Sequence, residues 1–153
     1  SHGLSSEKEK LINNFVNIVI ELFEGQQKTF DSNLVYSIDK TIQWEKLDNT
    51  AKINLYRIIQ ETFQNINKYA KAKTITVSFT EDNENIVLKI EDDGIGFETS
   101  VLQTKNSFGI LGMHERVRAL AGYFEIQSTV GKGTTVIIIL PLKNNKRTKK
   151  RLS

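Results

Sequence analysis

Ile90-Glu91-Asp92-Asp93-Gly94-Ile95-Gly96-Phe97 carries the end of a strand into a glycine-containing turn. Just upstream, Ile86, Leu88 and Ile90 alternate with Val87, Lys89 and Glu91, which is the two-residue period of a β-strand. The same alternation puts Asp92 on the row of Ile86, Leu88 and Ile90, so its carboxylate is aimed at apolar surroundings. A carboxylate in such a place requires hydrogen-bond donors. Gly94 and Gly96 follow at once and allow the backbone to approach another group closely.

Working outward, Ile75, Val77 and Phe79 alternate with threonine and serine as a second strand, and Glu81-Asp82-Asn83-Glu84-Asn85 is a hairpin-length connection between the two. Before them, Leu55, Ile59, Phe63, Ile66 and Ala70 recur at spacings of four, four, three and four, which predicts a helix over 48–70. Leu34, Tyr36 and Ile38 give a short strand interrupted only by Val35. Leu11, Phe15, Ile18, Val19 and Leu22 predict a helix over roughly 8–24, ended by Gly25.

On the other side, residues 94–107 are glycine-containing, irregular and polar and read as a lid. Ile110, Met113, Val117, Leu120 and Ala121 mark a further helix with Gly122 as its stop. Phe124, Ile126 and Ser128 form one closing strand and residues 135–140 another, with Gly131-Lys132-Gly133 turning between them. Pro141, the only proline, follows the last strand, where its missing donor does least harm. Helices and hairpins segregate, so the expected fold is α/β: a two-layer sandwich of a mixed, mostly antiparallel sheet and about three helices.

The chain has 153 residues, 39% of them hydrophobic, which suffices for one domain with a single core. A charged fraction of 25% and a mean hydropathy of −0.33 describe an ordinary water-facing surface, and no apolar run reaches the length of a membrane span. No membrane contact by this segment is expected. The absence of cysteine removes disulfides and thiolate metal sites. Six of the positive charges (Lys143, Lys146, Arg147, Lys149, Lys150, Arg151) lie at the end, so the net +3 of the whole leaves residues 1–142 at a formal −3. The boundaries read as 1–9, a tag scar (Ser1-His2-Gly3) and leader; 10–142, the folded domain; and 143–153, a basic, disordered tail. That tail carries no aromatic residue for base stacking, so no nucleic-acid partner is expected.

With Glu61 as origin and 100° per residue, Asn65 lies near 40° and Lys68 near −20°, whereas Ile59, Phe63, Ile66 and Ala70 cluster near 140–200°. Periodicity alone makes these three polar residues a solvated stripe. Asp92 lifts them above that reading, because adenine presents an exocyclic amino donor that would satisfy a buried carboxylate. In Ser107-Phe108-Gly109-Ile110-Leu111-Gly112 the lid becomes a helix, and a helix N-terminus offers unpaired amides to phosphate oxygens. Gly131-Lys132-Gly133-Thr134, alone, is a hairpin turn.

Taken in order, these stretches resemble the ATP-binding catalytic domain of sensor histidine kinases, within the superfamily shared with DNA gyrase and the mismatch-repair protein MutL. The resemblance covers roughly residues 11–142 and is strongest over 55–141. Tyr56-Arg57-Ile58-Ile59-Gln60-Glu61-Thr62-Phe63-Gln64-Asn65 and Gly112-Met113-His114-Glu115-Arg116-Val117 are similar to boxes of the kinases that partner with helix-turn-helix response regulators. The resemblance implies a Bergerat-type fold binding ATP and Mg²⁺. It gives Asn65 the role of Mg²⁺ ligand, which suits an amide oxygen beside a hard cation. It makes Glu61 the residue that orients or deprotonates the attacking group, or holds metal-bound water, and gives Lys68 the neutralisation of phosphate charge. Asp92 would read adenine, with Thr134 helping through a water; Gly94 and Gly96 would let the chain pass the base, and Gly109 and Gly112 would border the phosphates.

Two positions depart from the family pattern: Tyr69 stands where histidine is common, and Ser107 where a glycine is usual. The chain has only two histidines, His2 in the scar and His114 on the exposed side of a helix, and neither suits a phosphoacceptor. The resemblance therefore implies three partners beyond this chain's own core: ATP, a histidine-bearing dimerisation domain of the full-length protein, and a response regulator. It implies a cytoplasmic location, including that of the cytoplasmic part of a membrane-anchored sensor. A nucleotide-switch binding module and an anti-sigma-factor serine kinase of the same superfamily are the alternatives.

Overall fold

The computed structural model describes residues 2–98, 100 and 109–143. Along the chain run α1 (His2–Asn13), α2 (Phe15–Thr29), β1 (Asn33–Ile38), a 3₁₀ turn (Trp44–Lys46) and α3 (Asn49–Asn65), the last continued by a π-helical turn (Ile66–Ala70). Then come β2 (Thr74–Asp82), β3 (Asn85–Asp92), α4 (Ile110–Ala119), β4 (Tyr123–Thr129) and β5 (Gly133–Pro141).

The strands lie side by side in the order β1-β2-β3-β5-β4. β1 pairs with β2 in parallel, and the remaining three pairings are antiparallel. The parallel pair follows from connectivity, because α3 intervenes between β1 and β2 and a crossover of that length brings the chain back in the same direction. One face of the sheet is a continuous apolar row system of Ile75, Val77 and Phe79, Ile86, Leu88 and Ile90, and Val136, Ile138 and Leu140, all buried. Phe23, Leu55, Ile59, Phe63, Met113 and Val117 from the helices close over it in the same core cluster. The opposite face presents Thr76, Thr80 and Lys89 to solvent. This is the expected two-layer sandwich with a mixed, mostly antiparallel sheet.

The amino-terminal helix differs from the expectation at both ends. It bends at Asn14 (φ −126°, ψ 36°) into two segments, and the second runs through Gly25 to Thr29. A mid-helix glycine costs only about 1 kcal/mol. That is outweighed by tertiary contacts: the next residue, Gln26, is buried and exchanges two side-chain hydrogen bonds with Asn67, at 2.6 and 3.0 Å. Residues 2–9, read as scar and leader, are helical in α1.

At the end of α4, the residue in the left-handed conformation is Ala121 (φ 59°), and the Gly122 amide donates to the Val117 carbonyl at 2.9 Å. Gly122 has another reason to be glycine, since a Cβ there would lie 2.6 Å from the Ile139 carbonyl oxygen. The β2–β3 connection is tighter than five residues: only Asn83 and Glu84, both with positive φ, separate the paired Asp82 and Asn85. That is the backbone twist favoured in two-residue hairpins. Among the described residues no helix is long and apolar enough to cross a membrane. Most of the expected lid, and the tail from residue 144, lie outside the described residues.

Candidate active site

The helical layer does not fully cover the sheet at the carboxyl end of β3. A cavity of about 280 Å³ remains there, walled by Ile66, Ile90, Ile95, Met113, Ile126 and Val136. Asp92 reaches it from the end of the core-facing row, 9% exposed. The Gly94 amide donates to Asp92 Oδ1 at 2.8 Å, and the Thr134 backbone gives a second bond across the β3–β5 pair. Burial nevertheless dominates and raises the Asp92 pKa above the ordinary carboxylate value, against the lowering effect of those two amides. An apolar slot with one carboxylate acceptor at its end has the shape and chemistry to hold a flat ligand carrying an amino donor.

Next to this slot opens a polar cleft lined by Glu61, Gln64, Asn65, Lys68, Tyr69, Gly109, Gly112 and Arg116. Asn65 and Tyr69 line both spaces and so stand at their junction. Glu61 and Asn65 are placed by α3, one turn apart. Lys68 arrives differently, because the uniform 3.6-residue winding assumed for 48–70 gives way at Ile66 to the wider π turn. Lys68 still opens onto the same cleft as Glu61. The apolar stripe survives the change of winding as well: Ile66 is buried and Ala70 packs on the core.

The glycines divide into two kinds. At Gly94 a Cβ would lie 2.1 Å from the Ala70 carbonyl oxygen, and at Gly96 (φ 65°) 2.1 Å from the Thr129 carbonyl oxygen. The close passages at these two positions are thus against the protein's own backbone, and Gly96 also lines the slot. Gly109 (φ 66°) caps the N-terminus of α4, and a Cβ on Gly112 would meet nothing within 4 Å. Both open onto the polar cleft. Thr134 lines the slot while its hydroxyl lies 2.8 Å from Ser128 Oγ.

Three contributors escaped the sequence reading. Arg116 on α4 forms an ion pair and hydrogen bond from Nη1 to Glu61 Oε1, between residues 55 apart in the chain. Thr62 is buried in the slot wall, its hydroxyl donating to the Ile58 carbonyl at 2.8 Å. Ser128 accepts from the Phe97 amide at 2.9 Å, which ties the chain after Gly96 to β4. Arg116 had a signal, four residues past Gly112 on the same helical face; the other two had none. Tyr69 is half-exposed at the junction, Ser107 lies outside the described residues, and His114 is exposed, with its ring against Phe124.

Residues 50–144 match the family described as histidine kinase-, DNA gyrase B-, and HSP90-like ATPase, more than half of the chain. The chain belongs to this family of ATPases. Within it, the signal transduction histidine-protein kinase/phosphatase DegS of Brevibacillus brevis is 36% identical over 117 residues, 75% of this chain and 30% of that protein. The sensor histidine kinase YdfH of Bacillus subtilis is 40% identical over 99 residues, 63% of this chain and 24% of that protein. The histidine kinase domain of a blue-light activated kinase from Erythrobacter litoralis superimposes with a TM-score of 0.63 at 16% identity, over 86% of this chain and 61% of that one, which supports the fold. The chain spans less than a third of the length of these curated relatives, and it is homologous to the ATP-binding domains of sensor histidine kinases.

Proposed function

We propose that this ATPase-family domain is the catalytic part of a two-component sensor histidine kinase. It holds Mg·ATP and passes the γ-phosphoryl group to a histidine on a dimerisation domain outside this chain, from which a response regulator receives it. The observation that carries this reading is the continuity of an apolar slot ending at Asp92 with a polar cleft, Asn65 standing at their junction.

In this reading the buried Asp92 carboxylate accepts from the adenine amino group, with Thr134 assisting through a water. The base lies between Ile66, Met113 and Val136, beside Gly96, with Gly94 closing the turn onto α3. The phosphates lie in the cleft, facing Lys68 and the amides that begin α4 near Gly109 and Gly112. Among the described residues no three acidic or histidine side chains converge into a metal cage. A magnesium ion brought in on its phosphates needs few protein ligands, so the Asn65 amide oxygen fits that demand. When bound, the ion would supply charge neutralisation to the transferring phosphoryl group. Glu61 orients the attacking imidazole or takes its proton. Such a transfer rests on positioning and charge stabilisation by these groups.

The test is transfer to a supplied dimerisation domain. Glu61→Gln is expected to keep Mg·ATP binding and lose transfer, with wild-type product that is acid-labile as a phosphohistidine is. Acid-stable product would indicate a serine kinase, binding without any accepting domain a nucleotide switch, and no calorimetric binding at millimolar Mg·ATP would overturn the reading.

A further inference from the structure

Arg116 is the one cation of the polar cleft whose charge is already engaged by a carboxylate among the described residues. Its partner, Glu61, is the residue to which the proposed function assigns the acceptor chemistry, and the inference below rests on that assignment. Both side chains remain about one-third exposed (36% and 31%). An ion pair so open to water is weakly held, so changing partner costs little. A guanidinium also presents a planar fork of donors that suits phosphate as well as carboxylate, and it stays charged throughout the working pH range.

The cleft is built to receive an anion larger than one carboxylate. Lys68 lines it, the N-terminus of α4 opens onto it, and Gly112 leaves the helix surface bare beside Arg116. Against a triphosphate the single charge of Glu61 is the weaker competitor for the guanidinium. We infer that Arg116 exchanges Glu61 for the terminal phosphate of the bound nucleotide. The Glu61–Arg116 pair is the resting arrangement, and arrival of the γ-phosphate draws the guanidinium away and frees the carboxylate. ADP, lacking that phosphate, leaves the pair closed. Arg116 is thereby a phosphate ligand and, through Glu61, a positioning residue.

The experiment measures Mg·ATP and Mg·ADP binding by calorimetry on the full chain as wild type, Glu61→Gln, Arg116→Ala and the double variant, with thermal melts to confirm folding. The decisive comparison is Glu61→Gln against Glu61→Gln with Arg116→Ala, because the carboxylate is absent from both. Direct contact with the terminal phosphate predicts a loss in ATP affinity of about tenfold or more, with ADP changed by less than about threefold. Equal losses for both nucleotides, or no loss, overturn the proposal and leave Arg116 as a neutraliser of Glu61. Should Arg116→Ala fail to fold, Arg116→Lys and Arg116→Gln are read by the same ATP-to-ADP ratio. A wild type that binds no Mg·ATP removes the proposed function itself, whereas binding without ATP selectivity at Arg116 removes only this inference.

Discussion

Asp92 and Asp93 are neighbours in the chain, yet their carboxylates do opposite work on opposite sides of the strand end. Asp92 turns into the slot and accepts from the Gly94 amide. Asp93 turns outward and accepts from the Lys73 and Thr74 amides at 2.8 and 2.9 Å, pinning the start of β2. Burial raises the pKa of Asp92, while the Thr74 and Lys73 amides lower that of Asp93. In an NMR titration of the side-chain carboxyl carbons, Asp92 is expected to titrate above the ordinary aspartate range and Asp93 below it. The reverse order would refute the assignment of the inward acceptor.

The linkage to stability has opposite signs for the two. Asp93, depressed in the folded state, stabilises the fold above its unfolded pKa, and that contribution is lost as pH falls through its folded pKa. Asp92, raised, favours the fold below the unfolded pKa, and that advantage is lost as pH rises through the folded one. Replacing Asp92 by Asn therefore should raise the melting temperature of the ligand-free protein at neutral pH. The same change removes a charged acceptor and should weaken ATP binding by about tenfold to a hundredfold. A variant that melts lower and binds normally would contradict both halves.

Gly25 and Gly112 both lie inside helices with open space where a Cβ would sit. Alanine at either should stabilise the protein by about 0.5–1 kcal/mol in urea unfolding. Only Gly112 borders the polar cleft, so only Gly112→Ala is expected to reduce nucleotide affinity as well. Equal binding by the two variants would mean that phosphate does not pass over α4 at that point.

Gly96→Ala should act the other way. With φ at 65° and the Thr129 carbonyl oxygen 2.1 Å from the added carbon, the loop or the hairpin must shift. A destabilisation on the order of 2 kcal/mol is expected from denaturant midpoints. An unchanged midpoint would show that the two segments are not packed against each other in solution.

Local periodicity made most of the fold legible, because the core rows of β2, β3 and α3 write themselves into spacings of two and of three to four. The inward face of Asp92 followed from the same rule, and so did the grouping of Glu61, Asn65 and Lys68. What stayed hidden depends on distant contacts. The part-buried Gln26–Asn67 amide pair spans 41 residues and helps hold α2 helical past a glycine that reads as a stop. The Glu61–Arg116 pair spans 55 and exists only once α4 lies against α3. The π turn has no periodic signature of its own, since the apolar stripe continues through it. Gly94 and Gly96 were legible as close approaches, but their backbone neighbours were not.

Ile95, the residue between those two glycines, donates its amide to the Ala70 carbonyl and offers its own carbonyl to the Gly131 amide, both at 2.7 Å. One residue thus rivets the end of a helix to the tip of a hairpin behind the slot. For the function proposed above, the base-recognition half is preformed before any ligand arrives, and little binding free energy goes into ordering it. Retuning the domain toward another nucleobase would then demand concerted change in three separate segments, so evolutionary freedom should concentrate at the phosphate end.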